Sequence, residues 1–389
     1  MTQPPSDSSG PTARDTFHNF VTVGAIAVVA FLIRIVVSYR AVFGQDYVAF
    51  IENDAWFHMR LVDGLVTRFP WRIWYDAYLV HPGGGWVSAG PMFDWIIAGA
   101  ALIIGGGAPS PRLVDVVGAV VPPVIGALTI VTVYLLARDL FSPRAGIWAA
   151  LCAAVMPGDF LLRSALGFTD HHCAEVFFTT LTSWCLVHST GAAGTHTSRR
   201  RYALGGGVAL GAFLLTWGGA ALFLAALAAW ATLEVLVARL RGRADGDVVR
   251  ALLPTIGVAA IMVGPWVTLR PFFLYDLVAL TGVIVIPALL VGLAKVTVPL
   301  KGGLLVYAGI LVLAIAGAFA VGFSVTSVSF NAFVTDVSRL SPFRDGGYVS
   351  EAAPLLRSPD FRPIPLWNQF TTSLLLCLIA TPFVLHREA

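Results

Sequence analysis

The residues best equipped for chemistry lie in one short run, Gly167-Phe168-Thr169-Asp170-His171-His172-Cys173-Ala174-Glu175. Asp170 and His172, two residues apart, can chelate one cation from a loop or a helix start. Carboxylate oxygens favour Mg²⁺ or Mn²⁺, and one imidazole tilts the choice towards Mn²⁺. Asp170 is equally suited to capping a helix that begins near His172, and the sequence by itself leaves both readings open. His171 reads as a neighbour of the pair, and Glu175 as a complement to the positive end of that helix. The run sits between long apolar segments in a chain that is only 12% charged. Ionisable groups are costly in such a setting, so they belong at a membrane edge or in a wet cavity and mark a functional site.

Two further acids gain interest if they reach the same place. Asp54 stands in Asn53-Asp54-Ala55-Trp56-Phe57-His58-Met59-Arg60, and Glu351 in Tyr348-Val349-Ser350-Glu351. Each, taken alone, is an ordinary loop acid, because most such side chains are solvated. Arg163, seven residues before Asp170, can neutralise a phosphate or simply snorkel to the interface. Trp217, followed by Gly218-Gly219, fits the wall of a lipid or sugar groove and fits an aromatic belt equally well.

The elements that must position these residues are spanning helices. The chain has 389 residues, 57% of them hydrophobic, and a mean hydropathy of +0.80. Continuous apolar runs recur along it, which indicates an all-α polytopic membrane protein and argues against a membrane barrel. The net charge of +3 is modest, and the basic residues cluster in short loops, so no nucleic-acid partner is implied. The four Cys show no CxxC spacing, so neither a structural zinc site nor a disulfide framework is indicated.

Residues 1–16 are polar and read as a disordered cytoplasmic tail. Phe17–Tyr39 is expected to span, with Arg34 snorkelling near its end. Residues 40–112 are expected to form a large external loop of short surface helices, and 91–107 to be re-entrant or interfacial. Further spans are expected over Val114–Ala137, Ala145–Phe160, a segment ending at Thr179–His188, Tyr202–Leu215, Leu222–Ala238, Ala251–Leu269, Phe272–Leu293, Leu304–Phe323 and Phe370–Leu385, about ten in all. A second external loop covers 324–369. This weave keeps Arg138–Arg144, Arg199–Arg201 and Arg239–Arg243 inside, as basic loops prefer. Asp54, Asp170 and Glu351 then fall on the external face, although the charge argument did not use them.

In combination these motifs resemble the catalytic subunit of oligosaccharyltransferase, most closely the archaeal type. The resemblance rests on Glu52 to Arg60, on Arg163 to His172, on Thr216-Trp217-Gly218-Gly219 and on Val349-Ser350-Glu351, and it runs from about residue 20 to the end of the chain. It implies a membrane glycosyltransferase of the GT-C type. The implied reaction moves an oligosaccharide from a dolichyl phosphate or diphosphate lipid to Asn in Asn-x-Ser/Thr of a secreted or surface protein. By that resemblance Asp54, Asp170 and His172 hold Mn²⁺ or Mg²⁺, Asp54 and Glu351 engage the acceptor amide, and Arg163 and Trp217 bind substrate. It further implies a multi-pass protein of the cell membrane, residues 17–389 being its catalytic domain and the active site facing outwards. The family's C-terminal soluble domain, with its Trp-Trp-Asp-Tyr-Gly motif, is expected to be missing, which makes the chain either a truncated or split product, inactive alone, or one that works with a separate chain supplying that domain. Tyr348 stands where the family usually carries Ser or Thr.

Two other classes fit less of the pattern. A protein O-mannosyltransferase or similar polyprenyl-phosphate-sugar enzyme shares the external acidic loop but does not require Asp170-x-His172. A secondary transporter places its ionisable groups near the midplane, whereas here the acids gather at one edge.

Overall fold

The computed structural model describes residues 13–87, 89–191, 195–217, 221–244, 246–267 and 272–313. Glu351, the second external loop and the expected span 370–385 lie outside them. Among the described residues the chain is almost wholly helical. Helix α1 (Ala13–Val36) and the short α2 (Tyr39–Phe43) lead to α3 (Asn53–Val66), then to strands β1 (Tyr75–Asp76) and β2 (Gly85–Trp86). There follow α4 (Met92–Ile104), α5 (Pro111–Leu140), α6 (Pro143–Val155), α7 (Asp159–Leu162), α8 (His172–Thr190), α9 (His196–Leu214), α10 (Ala221–Leu240), α11 (Asp247–Val263) and α12 (Phe272–Thr297).

Among the described residues, five stretches are long and apolar enough to cross a bilayer: Phe17–Val36, Pro111–Leu140, Leu222–Leu240, Asp247–Trp266 and Asp276–Thr297. Their large apolar side chains stay exposed, as Phe17, Val28, Leu32 and Val36 do on α1, which suits a lipid surround. This is a helical membrane protein. Helix α4, with 13 residues, reaches only about 20 Å, short of a hydrocarbon core of about 30 Å.

The chain forms two compact units. The first takes in Met1–Val155, Phe160–Ala226 and Arg250–Gly282, and it is built around α5, which packs against α1, α3, α4, α6 and α8. The sequence starts α5 sharply: Ser110 accepts a hydrogen bond from the Leu113 N–H at 3.3 Å, and Pro111 occupies the first turn. Within α5, Pro122 and Pro123 have no N–H to give, which deprives the carbonyls four residues back, Gly118 and Ala119, of their helical donors. Both find donors in the Asp170 loop. The Thr169 hydroxyl donates to Gly118 O at 3.0 Å, and the Gly167 N–H donates to Ala119 O at 3.0 Å. Gly167 has φ +79, a conformation that a residue without Cβ adopts freely. At the other end of α5, Asp139 accepts from both Arg138 Nε and Nη2 (2.6 and 3.0 Å), Trp184 Nε1 (2.8 Å) and His188 Nε2 (2.7 Å), which ties α5 to α8.

The second unit comprises Met156–Asp159, Leu227–Val249 and Val283–Ala389. In it, buried Arg239 stands 3.4 Å from both Thr297 Oγ1 and Thr297 O, with its guanidinium over the Tyr307 ring.

Three expectations change. Arg34 does not snorkel: it is fully buried. Its Nε donates to Ser164 Oγ at 2.8 Å and its Nη1 to Ala30 O at 3.1 Å and Ala154 O at 3.3 Å. Gly126 of α5 makes room, since a Cβ there would stand 2.6 Å from Arg34 Nε. The expected span 145–160 stops at Val155, because Pro157 disfavours helix in the residue before it. The segment 40–90 holds, besides α2 and α3, an antiparallel strand pair with Tyr75 opposite Trp86, turned by Gly84 at φ +73.

Candidate active site

The site forms where the Asp170 loop meets the start of α8 and the buried face of α3. Asp170 is 2% exposed. Its Oδ1 accepts from the His171 backbone N–H at 2.6 Å and lies 2.6 Å from His171 Nδ1 and 3.4 Å from His58 Nε2. Its Oδ2 is 3.1 Å from His172 Nε2. Three imidazoles thus surround one carboxylate. Glu175, one turn into α8, sits 3.0 Å from His172 Nδ1 and 3.2 Å from His171 Nε2.

This geometry speaks to the two readings of Asp170. The residue before α8 is His171, and no side-chain cap bond is made there. Asp170 lies one residue earlier and turns its carboxylate to the imidazoles. Burial would raise its pKa, but hydrogen bonds from His171 and His58, with the charges of His171 and His172, outweigh burial and hold it well below the usual carboxylate range.

Behind the cluster lies a second, fully buried layer. His58 Nδ1 donates to Asp94 Oδ1 at 2.6 Å, and Asp94 Oδ2 accepts from Arg72 Nη1 at 2.9 Å. Arg72 also donates to Gly90 O at 2.7 Å and Ala89 O at 2.8 Å. Burial alone would lower the His58 pKa, but the Asp94 and Asp170 carboxylates raise it to about 9. Without a cation His58 is therefore protonated on both nitrogens and bridges two acids.

The donor set fits a divalent ion. One ligand atom from each of His58, Asp170 and His171 falls within 4.8 Å of the others, and the same holds for His171, His172 and Glu175. Mixed oxygen and imidazole donors suit Mn²⁺ and related ions. His171 Nε2 is buried and faces Glu175 Oε1 at 3.2 Å without an aligned hydrogen bond, a pair of donors that a bound cation could bridge.

The other expected residues are placed less centrally. Asp54 is exposed in the first turn of α3, one turn before His58, and the structure does not bring it into the cluster. Arg163 is half-buried after α7, close enough for its charge to act on His172. Trp217 is half-buried beyond α9. Its neighbours Thr216 and Leu215 accept, through their carbonyls, from the N–H groups of Gly90 and Met92 at 3.2 and 2.9 Å, so it stands beside the start of α4. Sequence reasoning missed His58, Asp94 and Arg72. The signals were present: His58 follows Asp54 by one helical turn, and Asp94 is a lone acid opening an apolar helix.

This order of motifs and helices has relatives. The family described as oligosaccharyl transferase STT3, N-terminal, is matched over residues 25–352. The chain belongs to that family. A dolichyl-phosphooligosaccharide-protein glycotransferase 3 from Archaeoglobus fulgidus is 34% identical over 199 residues, which are 49% of this chain and 23% of that protein. The solved structure of the archaeal oligosaccharyltransferase AglB from Archaeoglobus fulgidus, in complex with an inhibitory peptide and a dolichol-phosphate, superposes with a TM-score of 0.81 at 22% identity. It covers 97% of this chain and 45% of that one. A crystal structure of an Archaeoglobus fulgidus oligosaccharyltransferase in complex with Zn and sulfate has a TM-score of 0.68 at 27% identity, covering 78% of this chain and 40% of that one. The chain thus spans less than half the length of these relatives. STT3 membership agrees with the fold expected from the motifs, a GT-C-type membrane architecture.

Proposed function

We propose that this STT3-family chain carries the membrane catalytic domain, residues 17–389, of an oligosaccharyltransferase. The reaction moves an oligosaccharide from a dolichyl phosphate or diphosphate to the side-chain nitrogen of Asn in Asn-x-Ser/Thr. The observation that carries this reading is the convergence of Asp170, His171, His172 and Glu175 at the start of α8, in a chain matched to the family through residue 352.

The residue types suit the chemistry. An amide nitrogen is a weak nucleophile because its lone pair is delocalised into the carbonyl. Asp54 and Glu351, accepting hydrogen bonds from the two amide N–H groups, weaken that delocalisation and orient the nitrogen. Asp170 and His172, with Asp54, would hold the divalent ion, Mn²⁺ or Mg²⁺, which when bound offsets the negative charge growing on the departing lipid phosphate. Arg163 adds a second positive charge for that phosphate, and Trp217 offers an apolar wall to the lipid or sugar. The site faces the exterior of the cell membrane, where a lipid-borne donor and an emerging acceptor chain can both reach it.

The test is glycopeptide formation by the purified chain, with and without the host's other membrane proteins. Lipid-linked oligosaccharide would be offered with an Asn-x-Thr peptide or a Ser/Thr-rich peptide lacking Asn, with Mn²⁺ or with chelator. Transfer to the first peptide only, and only with metal, is expected. Transfer to the second would move the chain to the O-glycosylating class.

A further inference from the structure

The cluster contains a group that the proposed ligand set of Asp54, Asp170 and His172 does not use. His58 is 1% exposed and comes from α3, whereas Asp170 and the other imidazoles come from the α8 loop. We propose that His58 Nε2 is a ligand of the divalent cation, aimed by Asp94 and Arg72. This inference rests on the reading of the cluster as a metal site.

The argument is geometric. Asp94 is fully buried and both its oxygens are engaged, Oδ1 by His58 Nδ1 and Oδ2 by Arg72 Nη1. Arg72 is itself pinned to two backbone carbonyls, so the carboxylate cannot rotate. The edge of the His58 ring meets Phe93 with centroids 5.2 Å apart, which fixes the ring plane. With Nδ1 committed as a donor to Asp94, Nε2 is the pole of the ring turned to the cluster. It faces His171 Nδ1 at 3.1 Å and Asp170 Oδ1 at 3.4 Å. Two imidazole nitrogens and a carboxylate oxygen are turned towards one point; without an ion, protons on the rings bridge them, and a divalent cation can displace those protons and take all three as ligands. A carboxylate behind a ligating imidazole is also a recurrent device for fixing the ring and raising its basicity. A histidine serving only to fill the core would have no use for a buried Arg–Asp pair holding its far side.

The experiment measures metal and not transfer. The full chain in detergent is stripped with chelator and titrated with Mn²⁺ at fixed pH. Free ion is followed by electron paramagnetic resonance, and nitrogen couplings to bound Mn²⁺ by its pulsed form. Asp94→Asn, which keeps shape but loses charge, should weaken Mn²⁺ binding about 10–100-fold. His58→Gln should weaken it at least as much and remove one nitrogen coupling. Unchanged affinity and an unchanged nitrogen count in His58→Gln overturn the proposal while leaving the transferase reading intact. If His58→Gln does not fold, Asp94→Asn decides, since wild-type affinity there overturns it as well. A wild-type chain that binds no Mn²⁺ removes both this inference and the metal reading. Wild-type binding with the His58 coupling, but no glycopeptide product, supports the ligand and sinks the transferase reading alone.

Discussion

The hydrogen bond from Thr169 to α5 gives the sharpest test of how the site is held. Thr169 is fully buried, and its hydroxyl donates to Gly118 O, whose helical donor is missing because position 122 is proline. Thr169→Val keeps the shape and removes the donor. The substitution loses one hydrogen bond and leaves a buried carbonyl unmet, a cost of about 1–3 kcal/mol. On a helical unit of this size that corresponds to a drop in Tm of about 2–12 °C. The control is Pro122→Ala. It returns an N–H at the position that serves Gly118 O, so in that background Thr169→Val should cost about 1 kcal/mol less than in the wild type. The assay is a double-mutant cycle of thermal melts in one detergent at one ionic strength, with Mn²⁺ affinity measured alongside because Asp170 is the next residue. Strictly additive effects, or a neutral Thr169→Val, would refute the idea that the prolines expose acceptors for the loop.

Other expectations follow from the same structure. Gly167→Ala should lower Tm by several degrees, because φ is +79 and the new Cβ would lie 2.5 Å from Val42 Cγ2; adding Val42→Ala should recover the steric part and leave a residual backbone cost of about 1–2 kcal/mol. In chelated protein, the His58 pKa of about 9 lies above the usual 6.5. Its stabilisation, about 3 kcal/mol, is therefore complete below pH 6.5 and lost as pH rises through 9. The wild-type advantage over His58→Gln should shrink across that window, and a constant gap would contradict it. Asp139→Asn should weaken the α5–α8 tie by about 2 kcal/mol with no change in Mn²⁺ affinity, read by melting and by titration. In a background without the four native Cys, single cysteines at exposed Tyr47 and at Val349 should react with an impermeant maleimide from the same side of the membrane, and labelling from opposite sides would contradict a joint role for Asp54 and Glu351.

Much of the architecture was legible because hydrocarbon imposes a simple rule: long apolar runs become helices, and charges collect at their ends. The bounds of α8, α10 and α12 follow from that rule closely. It failed where a buried polar group had found partners from distant sequence. Arg34 looked like an interface residue because Ser164, 130 positions away, gives no local signal. Asp94 looked incidental for the same reason, since Arg72 and His58 lie 22 and 36 positions off. The importance of Asp170 and His172 was readable from their density in an apolar chain. The capping alternative could be weighed only once the carboxylate's direction was seen. The hairpin at 75–86 was missed because two-residue strands carry no periodicity.

The paired prolines of α5 also have a consequence for how the protein is made. The ribosome releases Gly118 and Ala119 some fifty residues ahead of Thr169 and Gly167 (the separation is 51 for the hydroxyl bond). A nascent α5 therefore enters the bilayer carrying two acceptors that no earlier segment satisfies, and lipid offers none. Delivery of the later stretch of chain supplies both donors and seats Asp170 beside α5 in one event. Completion of α5 and placement of the Asp170 cluster are, at this spot, a single step.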